Sequence, residues 1–181
     1  EKDVALVSDA GTPTINDPGY ELACAAMQAG FRIVPLPGPS ALTAAIAVSG
    51  LPIEQFVYLG FLPRKVGERR RLLESLATER RALVAFETPH RLSAALKDVL
   101  DTLGDRRIAV CRELTKLHEE VCQGVVSETL GHFENPRGEF TLVIEGGGES
   151  RANAPESGAL EMLALLREKG LGPTDSVAQV A

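Results

Sequence analysis

The 181 residues carry 44% hydrophobic side chains and a formal charge of −6. That content buries one sizeable core or two small ones without disulfide or metal staples. The acidic balance excludes a chain that coats nucleic acid or anionic membrane over its whole surface, and leaves room only for a local basic patch. Cys24, Cys111 and Cys122, odd in number and far apart, suit buried thiols in cytoplasm better than a secreted disulfide framework or a zinc site. No apolar run approaches the ~20 residues needed to span a bilayer, so no membrane partner is expected and the expected location is cytoplasmic. The chain opens on Glu1-Lys2-Asp3 directly before an apolar run and ends, over Asp175 to Ala181, as a helix begins, so a fragment of a longer protein is expected.

The pattern predicts an α/β fold. Val4 to Val7 reads as a short strand buried on both faces of a parallel sheet, followed by a long polar turn. Asp17-Pro18 supplies a cap and a first-turn proline; Leu22, Ala25, Ala26 and Ala29 form a helical stripe, and Gly30 closes it. Phe31 to Leu36 reads as a second strand, Pro37-Gly38-Pro39 as a forced turn, and Ser40 to Ser49 as a small-residue helix stopped by Gly50.

Leu51-Pro52 breaks the pattern and marks a domain boundary, giving an incomplete N-terminal α/β domain over 1–50 and a second α/β domain over 51–148. In the second, strands are predicted over Phe56–Gly60, Ala82–Phe86, Arg107–Cys111, Leu117–Gln123 and Phe140–Glu145. Helices are predicted over Glu68–Thr78, His90–Leu103 and Val126–Phe133. Gly146-Gly147-Gly148 and the polar residues after it read as a flexible linker; within 149–181 an amphipathic helix follows, carrying Leu160, Leu163, Leu166 and Leu171 and starting a small helical C-terminal region.

Ligands of open α/β sheets bind beyond the carboxyl ends of the strands, so five turns are candidate sites. In Ser8-Asp9-Ala10-Gly11-Thr12-Pro13 the glycine permits close backbone approach, Asp9 accepts from a hydroxyl or ammonium, and Thr12 donates, beyond what a plain connection requires. Pro37-Gly38-Pro39-Ser40-Ala41 brings N–H groups and a hydroxyl to a helix start, suited to a carboxylate or ribose, though a rigid turn would look the same. Glu87-Thr88-Pro89-His90-Arg91 concentrates an acid, a hydroxyl, an imidazole and a guanidinium where a strand meets a helix, a set suited to positioning and proton transfer. Arg112-Glu113-Leu114-Thr115-Lys116 suits a phosphate or an attacking hydroxyl, or is a surface ion pair. Gly138-Glu139-Phe140-Thr141 is at least as well read as a plain loop.

Arg64, Lys65, Arg69, Arg70, Arg71, Arg80 and Arg81 form a basic cluster in an acidic chain. Such runs are usually solvated helix faces; here they also suit RNA phosphates, with Phe61-Leu62-Pro63 as an apolar contact for an unstacked base. No dinucleotide, P-loop, zinc-protease or nucleophile-elbow motif is present, and His90, His118 and His132 lack metal-ligand spacing, so no metal is expected.

The segments Val7-Ser8-Asp9-Ala10-Gly11-Thr12-Pro13, Asn16-Asp17-Pro18-Gly19, Pro35-Leu36-Pro37-Gly38-Pro39, Gly60-Phe61-Leu62-Pro63, Glu87-Thr88-Pro89-His90-Arg91 and Arg112-Glu113-Leu114-Thr115-Lys116 together resemble the tetrapyrrole methylase superfamily. Within it they resemble bacterial enzymes that methylate a cytidine ribose 2′-hydroxyl in 16S rRNA of the 30S subunit. The likeness spans about Val4 to Gly146. It implies S-adenosylmethionine in a cleft between two α/β domains, a homodimer, and a first strand and C-terminal domain that lie outside this sequence. By the resemblance, Asp9, Gly11 and Thr12 match one cofactor segment, Ser40 and Ala41 a second, Glu87 a third, and Thr141 is a weaker match.

A methyl sulfonium is already activated, so such an enzyme needs chiefly to align an oxygen nucleophile and remove its proton. Glu113 and Lys116 are the favoured catalytic candidates, with Glu87 and His90 as others. Arg91 and Arg112, with Arg64, Lys65, Arg69, Arg70 and Arg71, are the expected RNA contacts. The rival readings are a methylase of a porphyrin-like small molecule and a cofactor-binding module without catalysis.

Overall fold

Five segments rich in β-branched and apolar residues pair into one mixed sheet in a computed structural model that describes residues 3–133, 136–148 and 165–166. The strands are β1 (Phe56–Phe61), β2 (Ala82–Glu87), β3 (Arg107–Arg112), β4 (Glu120–Val125) and β5 (Phe140–Ile144), in the order β1-β2-β5-β3-β4. β1 and β2 run parallel, while β5 is antiparallel to both β2 and β3, and β4 is antiparallel to β3. β1, β2 and β3 therefore end at the same edge of the sheet where β4 and β5 begin. Residues 1–148 make up one unit and 149–181 another, and nearly all of the second lies outside the described residues, including most of the helix expected over Leu160–Leu171.

The helices of the first unit are α1 (Tyr20–Gln28), α2 (Ala41–Val48), α3 (Val66–Ser75), α4 (Pro89–Leu103) and α5 (Val126–His132). Alternation along the strands sends Leu83, Ala85, Ile108, Val110, Leu142 and Ile144 to one face, where α3, α4 and α5 cover them. The intervening Val84, Ala109, Cys111 and Val143 face Ala45 of α2. A sheet covered on both faces needs apolar residues at every position, which is why β2, β3 and β5 read as unbroken apolar runs. α4 is the most sharply two-sided helix: Leu92, Ala95, Leu96, Val99 and Leu103 recur at helical spacing and are buried, Pro89 fits its first turn, and Gly104 at φ 83° ends it.

Two expected strands are absent. Val4–Val7 and Phe31–Leu36 pair with no neighbour among the described residues, and Val4, Val7, Phe31 and Leu36 are 71–85% exposed. Apolar β-branched sequence makes a strand only where another strand accepts its N–H and C=O groups, and none among the described residues lies beside these two. Gly146 and Gly147, expected to open a linker, are packed instead: a Cβ on either would strike the main chain between Ala77 and Arg81.

Candidate active site

At the edge where β3 ends and β5 begins, a cavity of about 240 Å³ is lined by Asp9, Ala10 and Gly11, by Pro39, Ser40 and Ala41, by Cys111 and Glu113 to Lys116, and by Glu139 and Thr141. Four of the five candidate turns thus converge. The antiparallel course of β5 brings the fifth turn beside the fourth, a juxtaposition that parallel strands would not supply. α2 starts at this cavity with Ser40 as its cap residue, and among the described residues no side chain caps the first-turn N–H groups, a disposition that suits an anionic or carbonyl ligand.

The turn after β3 is tightly built. Glu113 and Thr115 hold φ of 48° and 68°, left-handed values that cost non-glycine residues roughly 1–3 kcal/mol each. Their geometry is held by the Glu113 N–H donating to the Glu139 carbonyl at 3.1 Å and the Thr115 N–H donating to the Glu119 carboxylate at 2.6 Å. Glu113 Oε1 accepts from the Glu139 N–H at 2.9 Å and from Lys116 Nζ at 3.0 Å. The Glu139 N–H foremost, then Lys116, hold the Glu113 carboxyl below its ordinary value, and the bond to Glu113 raises the Lys116 ammonium. The two form an ion pair at neutral pH. Cys111 lies 1% exposed beneath them, its thiol pushed up to about 11 by burial, hence neutral.

Thr141 and Glu87 separate by strand alternation. Thr141 sits opposite Phe86 on one side and Cys111 on the other, and shares their face, the cavity side. Glu87 pairs with Phe140, whose ring belongs to the opposite core, so the Glu87 side chain points to the α4 side, away from the cavity. There it is 1% exposed and accepts from the Thr88 N–H at 2.7 Å and from Arg91 Nη2 at 2.7 Å. Thr12 also lies off the lining; its carbonyl accepts from the Ile15 N–H at 3.2 Å within the first loop. That loop is tied to the sheet by Asn16, part of a segment that carries the resemblance but is given no role by it: at φ 56° it accepts from the Tyr58 hydroxyl at 2.5 Å and lies against Gly60.

The basic cluster divides into free and committed members. Arg64 and Arg71 are exposed with no ion pair among the described residues, and Lys65 is exposed with a single contact to Glu68 at 3.0 Å. Arg69 is 2% exposed and donates to Asp98 at 2.7 Å, which also receives Arg70 at 2.7 Å; Arg70 reaches Asp101 at 3.0 Å. Arg112 donates to Glu120 at 2.9 Å and to the Arg137 carbonyl at 2.8 Å, and Arg81 is paired with Glu79 at 2.7 Å. A helix that packs through its arginines has spent them on its neighbour, so the positive face offered to solvent is smaller than the run of arginines suggests.

A mixed α/β sheet with a strained, polar turn and a helix N-terminus at one edge has the lining that suits a small polar ligand. A family model described as Tetrapyrrole (Corrin/Porphyrin) Methylases matches residues 1–130, and the chain belongs to that family. It is 52% identical over 147 residues to the "Ribosomal RNA small subunit methyltransferase I" of Thermotoga maritima, covering 80% of this chain and 66% of that protein. It is 45% identical over 184 residues to the protein of the same name from Synechocystis sp., covering 99% and 66%. Against the protein so named from Mycobacterium tuberculosis it is 45% identical over 183 residues, covering 98% and 62%. The chain spans about half to two thirds of the length of the curated relatives it matches. Among solved structures it is similar in fold to the methyltransferase CobJ, with a TM-score of 0.58 at 19% identity over 79% of this chain and 64% of that one. The cobalt precorrin-4 methyltransferase CbiF gives 0.54 at 16% over 75% and 61%.

Proposed function

We propose that the protein transfers a methyl group from S-adenosylmethionine to a cytidine ribose 2′-hydroxyl of 16S rRNA in the 30S subunit. The observation that carries this reading is the meeting of Asp9 to Gly11, Pro39 to Ala41, Glu113 to Lys116 and Thr141 around one cavity. The residues there fit the cofactor. Asp9 suits ribose hydroxyls or an ammonium, the free N–H groups at the start of α2 suit a carboxylate, and Ala10, Pro39, Ala41 and Leu114 give an apolar wall for a purine. Bound there, S-adenosylmethionine supplies a methyl group already activated on a sulfonium.

The chain's own residues then have to orient an oxygen nucleophile and handle its proton. Glu113, kept ionised, would accept a hydrogen bond from the hydroxyl and take its proton as the methyl group is transferred, with Lys116 fixing that carboxylate; held protonated, Lys116 is not the proton acceptor. Exposed Arg64, Lys65 and Arg71 contact phosphates. On the same reading residues 1–50 and 51–148 are the two α/β domains, 149–181 leads into a helical region, and the protein acts as a cytoplasmic homodimer. The family resemblance supports these features.

The second reading, methylation of a porphyrin-like molecule, is favoured only by the family's description; the relatives named for ribosomal RNA at 45–52% identity support the first. Single-turnover assays with labelled S-adenosylmethionine and small subunits lacking the modification test it. Glu113→Ala is expected to reduce transfer by roughly 10²–10⁴-fold, and wild-type transfer to a porphyrinoid but not to RNA would reverse the assignment.

A further inference from the structure

β1 ends at Phe61 and leads through a four-residue stretch, Leu62 to Lys65, into α3. Phe61 packs edge-on against Phe86 at 5.6 Å between ring centres and still stands 45% exposed; Arg64 and Lys65 are exposed beside it. An aromatic ring with two adjacent cations suits a single-stranded RNA segment, the ring stacking on a base and the cations meeting phosphates. Between them Leu62 is 1% exposed, anchored in the core.

Two main-chain carbonyls of this stretch are each held by a separate arginine. The Leu62 carbonyl accepts from Arg91 Nη2 at 2.6 Å, and Arg91 is held by the buried Glu87 at 2.7 Å. The Pro63 carbonyl accepts from Arg69 Nη1 at 3.3 Å, and Arg69 is held by the buried Asp98. Two carboxylate-anchored guanidiniums, from α3 and α4, thus grip consecutive peptide groups of one loop. A guanidinium can serve a carboxylate and a carbonyl together because its donors diverge in a rigid plane.

We propose that Arg69 and Arg91 are positioning residues for RNA: they fix the Phe61–Lys65 loop through its main chain, and Phe61, Arg64 and Lys65 make the contacts. This rests on the RNA reading above and changes the part these two arginines play in it. A loop fixed in advance avoids the cost of ordering its main chain on binding. Neither arginine needs to reach a phosphate, and Arg69, nearly fully buried, is not placed to do so.

Two variants of the full-length protein test it. Arg69→Met leaves Asp98 paired with Arg70, and the double variant Arg91→Met with Glu87→Gln removes both charges of that pair, so neither strands a buried charge. Amide hydrogen exchange is expected to speed up at 61–66 while β2, β3 and β5 stay protected. Affinity for a short single-stranded RNA oligonucleotide is expected to fall about tenfold. The salt dependence should keep its slope, whereas Arg64→Ala should lower the slope by about 0.7 for each phosphate it no longer neutralises. Binding of S-adenosylhomocysteine should not change. A slope reduced in Arg69→Met or in the double variant as much as in Arg64→Ala would make the arginines direct phosphate ligands and overturn the proposal. So would unaltered exchange at 61–66. If the wild-type protein shows no salt-dependent RNA binding, the RNA reading falls and takes the proposed ligand with it, while the exchange data still decide whether the two arginines hold the loop.

Discussion

Gly138 carries more of the site's geometry than its lack of side chain suggests. At φ 80° it lies where a Cβ would run into the Glu113 side chain. Gly138→Ala therefore combines a left-handed backbone cost with displacement of the Glu113 carboxylate; a fall of roughly 1–3 kcal/mol in stability is expected. Affinity for S-adenosylhomocysteine should fall with it, measured by calorimetry. Unchanged binding would mean that the Glu113 turn is not part of the ligand site.

Glu113 and Lys116 also set a pH expectation. The Glu113 value is lowered, so its contribution to stability is present above the ordinary carboxylate value and is lost as pH falls through the lower folded one. Lys116 is raised, so its contribution is complete below the ordinary lysine value and is lost as pH rises through the higher folded one. Between about pH 6 and 9 neither group titrates, and Glu113→Gln should offset the pH profile of ligand binding there without changing its shape. A new slope in that window, read by titration at several pH values, would contradict the ion pair.

α3 and α4 are joined by a buried Asp98 between two arginines. Burial would raise the Asp98 carboxyl, but the hydrogen bonds from Arg70 and Arg69 outweigh it and leave the value lowered. Its contribution to stability is therefore present above the ordinary aspartate value and disappears as pH falls through the lower folded one. Asp98→Asn strands Arg69 and should cost about 3–5 kcal/mol at neutral pH, with the difference shrinking in acid, as urea unfolding at two pH values would measure. An equal difference at both would rule out the ionised form. The unpaired segments 4–7 and 31–36 carry the opposite expectation: with no ladder among the described residues to protect them, their amides should exchange far faster than those of β2, β3 and β5. Protection equal to the sheet would show that they are paired.

How far each element is legible in the sequence follows the source of its stability. Strands β1, β2, β3 and β5 and the helices from α3 to α5 are readable because their apolar period agrees with their burial, as in α4, whereas β4, expected over Leu117–Gln123, runs Glu120–Val125 at the sheet edge and leaves Leu117 94% exposed. Val4–Val7 and Phe31–Leu36 mislead because composition reports a tendency to pair and says nothing about whether a neighbour exists. At the site, the turn after β3 is readable as chemistry, while Thr141 needs the antiparallel register of β5 and Glu87 needs the parity of its position on β2 to be placed. The arginines of α3 are readable only as charge: that Asp98, 29 residues after Arg69, consumes two of them is a tertiary fact.

Across the whole molecule, the cavity proposed for the cofactor at one edge of the sheet and the loop proposed for RNA at the end of β1 serve one reaction only if a methyl group passes from the first to the strand held by the second. Incubation of the full-length protein with tritiated S-adenosylmethionine and small subunits that lack the modification, followed by nuclease digestion and mass mapping of the 16S rRNA, tests that transfer. One methyl group on a cytidine ribose is the expected result; absence of label from the RNA, or label on a base instead of a ribose, would contradict it.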